Sequence, residues 1–461
     1  MSQSKKQGTE EASLAWWQLS LVGIGCIIGT GYFLGSSLGI QMAGPSILIS
    51  FIIAAFATYL VYEALAKMTA KEPMEGSFRS YAKKAFGRWA GFSSGWVYWS
   101  SEMMIMGSQM TALGLFSRFW FPKFPLWMFA AGFAVLGVLV VLMGASCFDK
   151  SENIFAVIKV AAIVMFIILA FTACFGWIHS KGVHPSIRRP IGDFLPHGMK
   201  GLWSSLIYAF YGFGGVEMMG IMAIRLKDKK DAPKAGRIML ILLVSIYILS
   251  IALAITMVSW KAFNDKESPF VIALSDYHLP FFPHIFNGAL IVAGFSTMSA
   301  SLFSVTSMLS TLASEGDAPS FFSKKSKRNI PFRALGLTVI GMALSVVAAQ
   351  LTPGKIYEYI TTAAGLMLIY NWLFILLSSR KQLELSAWGK VKGLIGILLI
   401  LLAVSGTLFH KGSRPGLFIS LLFLLIIGSV VLVMRKKWRE DEGKDTKKSP
   451  HLKPNTRKPV H

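Results

Sequence analysis

Charge is scarce in this chain, and cysteine scarcer. Only 15% of the 461 residues are charged while 54% are hydrophobic, and the mean hydropathy is positive. That balance excludes an ordinary soluble domain and places the chain among integral membrane proteins. The three cysteines, Cys26, Cys147 and Cys174, lie in or beside apolar segments, and an odd number so placed excludes a disulfide framework. No Cys and His cluster has the spacing of metal ligands, so neither a metal nor another cofactor is expected. Asn-x-Ser/Thr and His-Glu-x-x-His are both absent. A Gly-x-Ser-x-Gly does occur at Gly91 to Gly95, but it opens a helix, whereas a nucleophile elbow needs a strand, a turn and a helix. An enzyme is therefore not expected.

Acidic residues are also few, 23 against 46 basic ones, for a net charge of +23. The placement of that charge follows the apolar runs. Twelve of these can cross a bilayer about 30 Å thick. They cover 16–39, 45–67, 89–117, 127–148, 153–178, 201–224, 236–260, 282–313, 332–350, 356–378, 392–410 and 415–434. The first lacks a cleavable signal pattern and is read as a retained span after an N-terminal tail, 1–15. Lys and Arg gather at the termini and in the loops after even-numbered spans, with roughly threefold fewer in the other loops. Both termini are therefore expected in the cytoplasm. The basic excess is topological, and no nucleic-acid partner is expected. The tail, 435–461, reads as a solvated, disordered segment or as one that touches anionic lipid heads. Between spans 2 and 3, Phe78, Tyr81, Ala82 and Phe86 recur at helical spacing, which predicts a short helix on the cytoplasmic surface.

Glycine is present where a membrane helix tolerates it least. "GCIIGTGYFLG", Gly25 to Gly35, lies inside the first run. Gly31, Gly35 and Gly39 could form a ridge of small residues for helix packing. Span 6 shifts the weight to a break, because it carries "YGFGGVE", Tyr211 to Glu217, five spans later. An odd number of spans reverses orientation, so the halves would be inverted repeats, and paired interruptions are the best pointer to a transporter's central site. A half-helix after a break offers free N–H groups to a carboxylate, and one before it offers free carbonyls to an ammonium. A site with both suits an α-amino acid. A channel would need a filter of repeated carbonyls or charged rings, and paired breaks fit alternating access better.

The ordered set "IIGTGYFLG", "AGPSILISF", "EPMEGSFRSYA", "GWVYW", "FGGVE", "ESPFVIAL" and "LASEGDAPSFF" resembles the signatures of amino acid permeases of the amino acid–polyamine–organocation superfamily. The resemblance runs from span 1 through span 8. It implies an all-α integral membrane fold of twelve transmembrane helices, LeuT-like, with discontinuous helices 1 and 6. Two inverted five-helix repeats, 16–178 and 201–378, would be followed by two peripheral helices, 392–434. It further implies that Ile27, Thr30 and Gly31 contact the substrate backbone, that the Gly214 carbonyl faces the amino group, and that Tyr211 covers the site. Glu217 matches the acid after the span 6 break. It reads as a functional acid at mid-membrane, a proton-coupling candidate together with Glu102 and Lys159, or as a structural acid tied to backbone N–H groups. Lys159 reads in two ways. It could snorkel to the cytoplasmic interface, or, by resemblance, replace a sodium ion against the span 1 break and carry the coupling proton.

Some positions depart from the family pattern. The span 2 pair is reversed, Glu63 with Lys67, and reads as structural. The usual span 3 acid is Gln109, with Glu102 two turns earlier on the same face. Arg225 and Ser307 stand where the family has an acid and an arginine, and Arg225 with Asp228 or Asp317 would be a replacement gate. The side-chain pocket is expected from Met103, Met106, Phe295 and Ser299, which leans towards a neutral, aliphatic substrate. Glu102 keeps a cationic one open. The expected activity is proton-coupled amino acid import across the cell membrane, with the lipid bilayer and no obligate protein partner.

Overall fold

The computed structural model describes residues 14–143, 145–178, 194–326, 330–351 and 355–448. Within them every regular element is helical, and a single β-bridge joins Leu14 to Leu226. The first long element is interrupted twice, giving α1 (Trp16–Ile27), α2 (Thr30–Phe33) and α3 (Gly35–Ala43). There follow α4 (Ile47–Lys71), α5 (Phe78–Phe86), α6 (Arg88–Ser117), α7 (Leu126–Met143) and α8 (Ala145–Cys174). A second interrupted element gives α9 (Gly198–Tyr211) and α10 (Val216–Met222). The remainder is α11 (Ala232–Met257), α12 (Pro269–Leu274), α13 (Phe282–Ser314), α14 (Phe332–Leu351), α15 (Ile356–Gln382), α16 (Ala387–Gly406) and α17 (Arg414–Lys448).

Ten stretches of the described residues are long and apolar enough to cross a membrane. α6 is not among them, although it has 30 residues, because Glu102, Gln109 and six serines lie along it. It tolerates them by being inside: it packs against α13 and α15, and Glu102 and Gln109 are both buried. Burial separates the helices into two groups. In the apolar window of α15, 72% of residues are buried within the protein, whereas α7 and the first part of α17 bury 17% each. Polar side chains at depth are affordable only in the first group, where lipid does not reach them.

Lipid is as apolar as the helix faces, so association rests on close packing and hydrogen bonds. Gly236 shows how close: a Cβ there would lie 1.7 Å from the Tyr62 ring, whose hydroxyl donates to the Ala232 carbonyl at 2.7 Å. Between α2 and α11 the rings of Tyr32 and Tyr247 stack with centroids 3.8 Å apart. The Tyr247 hydroxyl donates to the Gly212 carbonyl at 3.0 Å, just past the end of α9.

At one end of the bundle the expected surface helix, α5, is drawn inward. Phe78, Tyr81 and Ala82 are buried, and so is Arg79. Arg79 donates to Glu315 and Asp317 at 2.6 Å each, Arg88 to the other Asp317 oxygen at 3.0 Å, and Lys83 to Glu315 at 2.9 Å. Burial alone would raise the Glu315 carboxyl, but Arg79 and Lys83 outweigh it and hold the group below the usual carboxylate range. Asp317, one of the two partners considered for Arg225, is thus taken by Arg79 and Arg88. The Glu63–Lys67 pair forms at 2.9 Å, and Lys392 joins it at 3.3 Å.

The tail also differs from expectation. α17 continues as helix to Lys448 instead of ending near 434. Trp438, 4% exposed, packs against Phe92 and lies under the Arg88 guanidinium, 5.2 Å from the ring centroid. A buried indole gives the basic segment an anchor that its charge alone did not suggest. Residues 449–461 and 1–13 lie outside the described residues.

Candidate functional site

The first break is an extended step. Ile28 and Gly29 both leave the helical region, and α2 starts at Thr30. Among the described residues the N–H groups of Gly29, Thr30 and Gly31 have no backbone partner, nor do the carbonyls of Cys26 and Ile27. The second break is a turn. Gly212, Phe213 and Gly214 bond back to α9, and Gly215 takes φ +104°, a left-handed conformation suited to glycine. Among the described residues the Phe213 and Gly214 carbonyls have no backbone partner. Both breaks are what mid-membrane backbone tolerates only where it lines a cavity.

They do line one. A cavity of about 80 Å³ lies between them, bounded by Ile27, Thr30 and Gly31 on one side and by Tyr211 and Gly214 on the other. The approach is close enough to require glycine: a Cβ on Gly31 would sit 2.9 Å from the Tyr211 ring. Tyr357 of α15 fixes the first break by donating to the Thr30 carbonyl at 3.2 Å. The side wall comes from α6, with Glu102, Ile105 and Gln109, and from α13, with Thr297, Ser301 and Ser304. A larger hollow, about 210 Å³, lies between Phe116, Arg118 and Ser268, but no helix break opens into it.

Six of the residues expected at the site therefore meet at one cavity: Ile27, Thr30, Gly31, Tyr211, Gly214 and Glu102. Phe295 does not. It turns away towards Phe133 of α7, and Met103 and Met106 join the same outer cluster. Ser299 is buried but does not line the cavity. Thr297, Ser301 and Ser304 replace them, on the opposite face of α13. Their spacing of four and three was the available signal.

Glu217 also lies off the cavity. It sits in the first turn of α10, fully buried, and accepts from Trp372 Nε1 at 3.1 Å. Lys159 is the clearest correction to a reading, because it does not snorkel. It is 0% exposed, and its Nζ donates to the Gly25 carbonyl of α1 at 2.8 Å. Gly25 lets α8 come near enough, since a Cβ there would be 2.6 Å from the Ala156 methyl. Glu152, which falls between the expected spans 127–148 and 153–178, is the second ligand of that ammonium at 3.2 Å.

A bundle with ten apolar membrane-length stretches and two facing breaks around a polar cavity defines a multi-pass membrane transporter. A family model described as amino acid permease matches residues 18–444, and the chain belongs to that family. It is 52% identical to the uncharacterized transporter YcgH of Bacillus subtilis (strain 168), over 95% of this chain and 98% of the relative. It is 30% identical to the aromatic amino acid transport protein AroP of Escherichia coli (strain K12), over 93% of this chain and 95% of the relative. AroP of Salmonella typhimurium (strain LT2) is 31% identical over 91% and 94%.

Proposed function

We propose that this permease imports an α-amino acid across the cytoplasmic membrane by proton-coupled alternating access, with no metal or other cofactor. In this reading twelve spans form two inverted repeats, with α16 and α17 outside them and both termini in the cytoplasm. The observation that carries it is the state of the four helix ends at the breaks. The carbonyl end of α1 holds Lys159, and the amide end of α10 holds Glu217. Each charge matches the dipole end it faces. The amide end of α2 and the carbonyl end of α9 face the cavity, and among the described residues no charged group bonds to either. A substrate carboxylate fits the Thr30 and Gly31 amides, and its ammonium fits the Phe213 and Gly214 carbonyls. Lys159 is the proton carrier: losing its proton would loosen the hold on α1 and couple charge to the first break.

The side chain is the less defined half of the substrate. The residues that suggested an aliphatic pocket lie elsewhere, and the wall is polar. The AroP relatives are named for aromatic amino acids. An aromatic ring needs more room than this conformation offers, since 80 Å³ is well below the roughly 150 Å³ that admits benzene. Glu102 favours a second reading, a side chain or ligand bearing an amine, because a buried carboxylate at a cavity needs a cation or a proton.

Uptake of each of the twenty radiolabelled L-amino acids into proteoliposomes holding the full chain tests this. Saturable uptake with counterflow, raised by an acidic exterior, is expected for at least one. Flux that does not saturate and shows no counterflow would make the protein a channel.

A further inference from the structure

Lys159 does not stand alone, and its partner has no role in the reading above. Glu152 lies seven residues earlier on α8, two turns away on the same face, about 10 Å along the axis. One carboxylate oxygen is 3.2 Å from Lys159 Nζ, and the other accepts from Ser296 Oγ of α13 at 2.6 Å. A continuous chain of contacts therefore runs from the Gly25 carbonyl through Lys159 and Glu152 to Ser296. Its two charged members differ in exposure: the Lys159 side chain is 0% exposed and that of Glu152, nearer the start of α8, is 12%.

The surroundings offer no rival acceptor among the described residues. α1 contributes the Gly25 carbonyl and, close by, the Cys26 thiol. α13 contributes the Ser296 hydroxyl, which is already donating. α7 carries no charged residue, and Lys234 and Arg237 of α11 are exposed, with Lys234 over the Trp16 ring. Two of the three Lys159 protons have identified acceptors, a carbonyl and a carboxylate, and only the carboxylate can keep a proton.

From this geometry we infer that Glu152 receives the proton Lys159 releases and delivers it to water on the side where α8 begins. This rests on the proton-coupled reading above. In the step, the Lys159 ammonium gives one proton to the Glu152 carboxylate, leaving a neutral amine and a neutral acid. The acid then loses that proton to water, and the carboxylate is restored. Ser296 holds the second oxygen throughout, so the acid stays within reach of both α8 and α13.

The test uses full-length protein in proteoliposomes, with a mixture of the twenty 14C-labelled L-amino acids as probe. Accumulation driven by an acidic exterior is compared with counterflow at equal pH, which needs no net proton movement. In Glu152→Gln the gradient-driven accumulation is expected to fall about tenfold or more, and counterflow only about threefold. Glu152→Asp keeps a carboxylate but withdraws it, so accumulation returns with its pH midpoint shifted. Wild-type accumulation in Glu152→Gln would overturn the inference. So would an equal loss of both activities in the Gln and Asp variants while each remains monodisperse. If Glu152→Gln does not fold, an unshifted pH midpoint in Glu152→Asp overturns it. A wild-type protein that ignores the pH gradient would instead sink the coupling itself.

Discussion

The two breaks share a purpose but are built differently. The first is an extended step of two residues, with a cation buried behind it and the whole of α3 still to follow. The second is a glycine turn, held by a tyrosine hydroxyl at Gly212 and followed by a helix of only seven residues whose first turn carries an acid. One break thus has its carbonyl end answered by a titratable base, the other its amide end answered by a carboxylate. In the proposed function this asymmetry orients the substrate zwitterion between them, and it puts proton transfer beside the first break, at Lys159.

The comparison can be broken most severely at Gly31. Gly31→Leu is expected to lower uptake about 100-fold or more, because the side chain must enter the Tyr211 ring and the breaks move apart. Normal uptake at normal membrane levels would remove the site assignment. Lys159→Ala comes next. It should remove the response to external pH, a loss of about tenfold in gradient-driven accumulation, while the corresponding change at the second break should not. That second change, Glu217→Gln, keeps an acceptor for Trp372 and is expected to reduce uptake only about threefold with an unaltered pH profile. A pH profile that moved with Glu217 and not with Lys159 would reverse the assignment of the two ends.

The smallest effect lies away from both breaks, in the cluster of Arg79 and Glu315. Because Glu315 is held below its ordinary range, its contribution to stability is present at neutral pH and is lost as the pH falls through that lowered value. The group is partly exposed, so about 1 kcal/mol or less is at stake. Melting curves of wild type and Glu315→Gln should differ at pH 7 and converge towards acid. A gap that widens there would contradict the sign.

Much of this arrangement was legible in the sequence, for a physical reason. A glycine run at membrane depth has few uses, so the two breaks could be read directly, while Ile27, Thr30, Gly31, Tyr211 and Gly214 came from the resemblance to the permease family. The side-chain wall could not. α13 is 33 residues long and buried on nearly every side, so its composition carries no phase, and Phe295 and Ser299 were placed on the face that Ser301 and Ser304 in fact occupy. Glu152 escaped because charges near Asp149 and Lys150 resembled a loop, whereas α8 begins at Ala145 and takes them in. Trp438 escaped because one indole is a weak signal against a strongly basic background.

Tyr247 has a consequence for how such a bundle can move. Its ring lies flat on Tyr32 beyond the first break, and its hydroxyl ends on Gly212 at the second. One side chain of α11 therefore acts as a strut between the two hinges. Any swing that opens one hinge alone must slide the rings apart or surrender that carbonyl. The cheaper motion carries α2, α9 and α11 together as a single rigid wing.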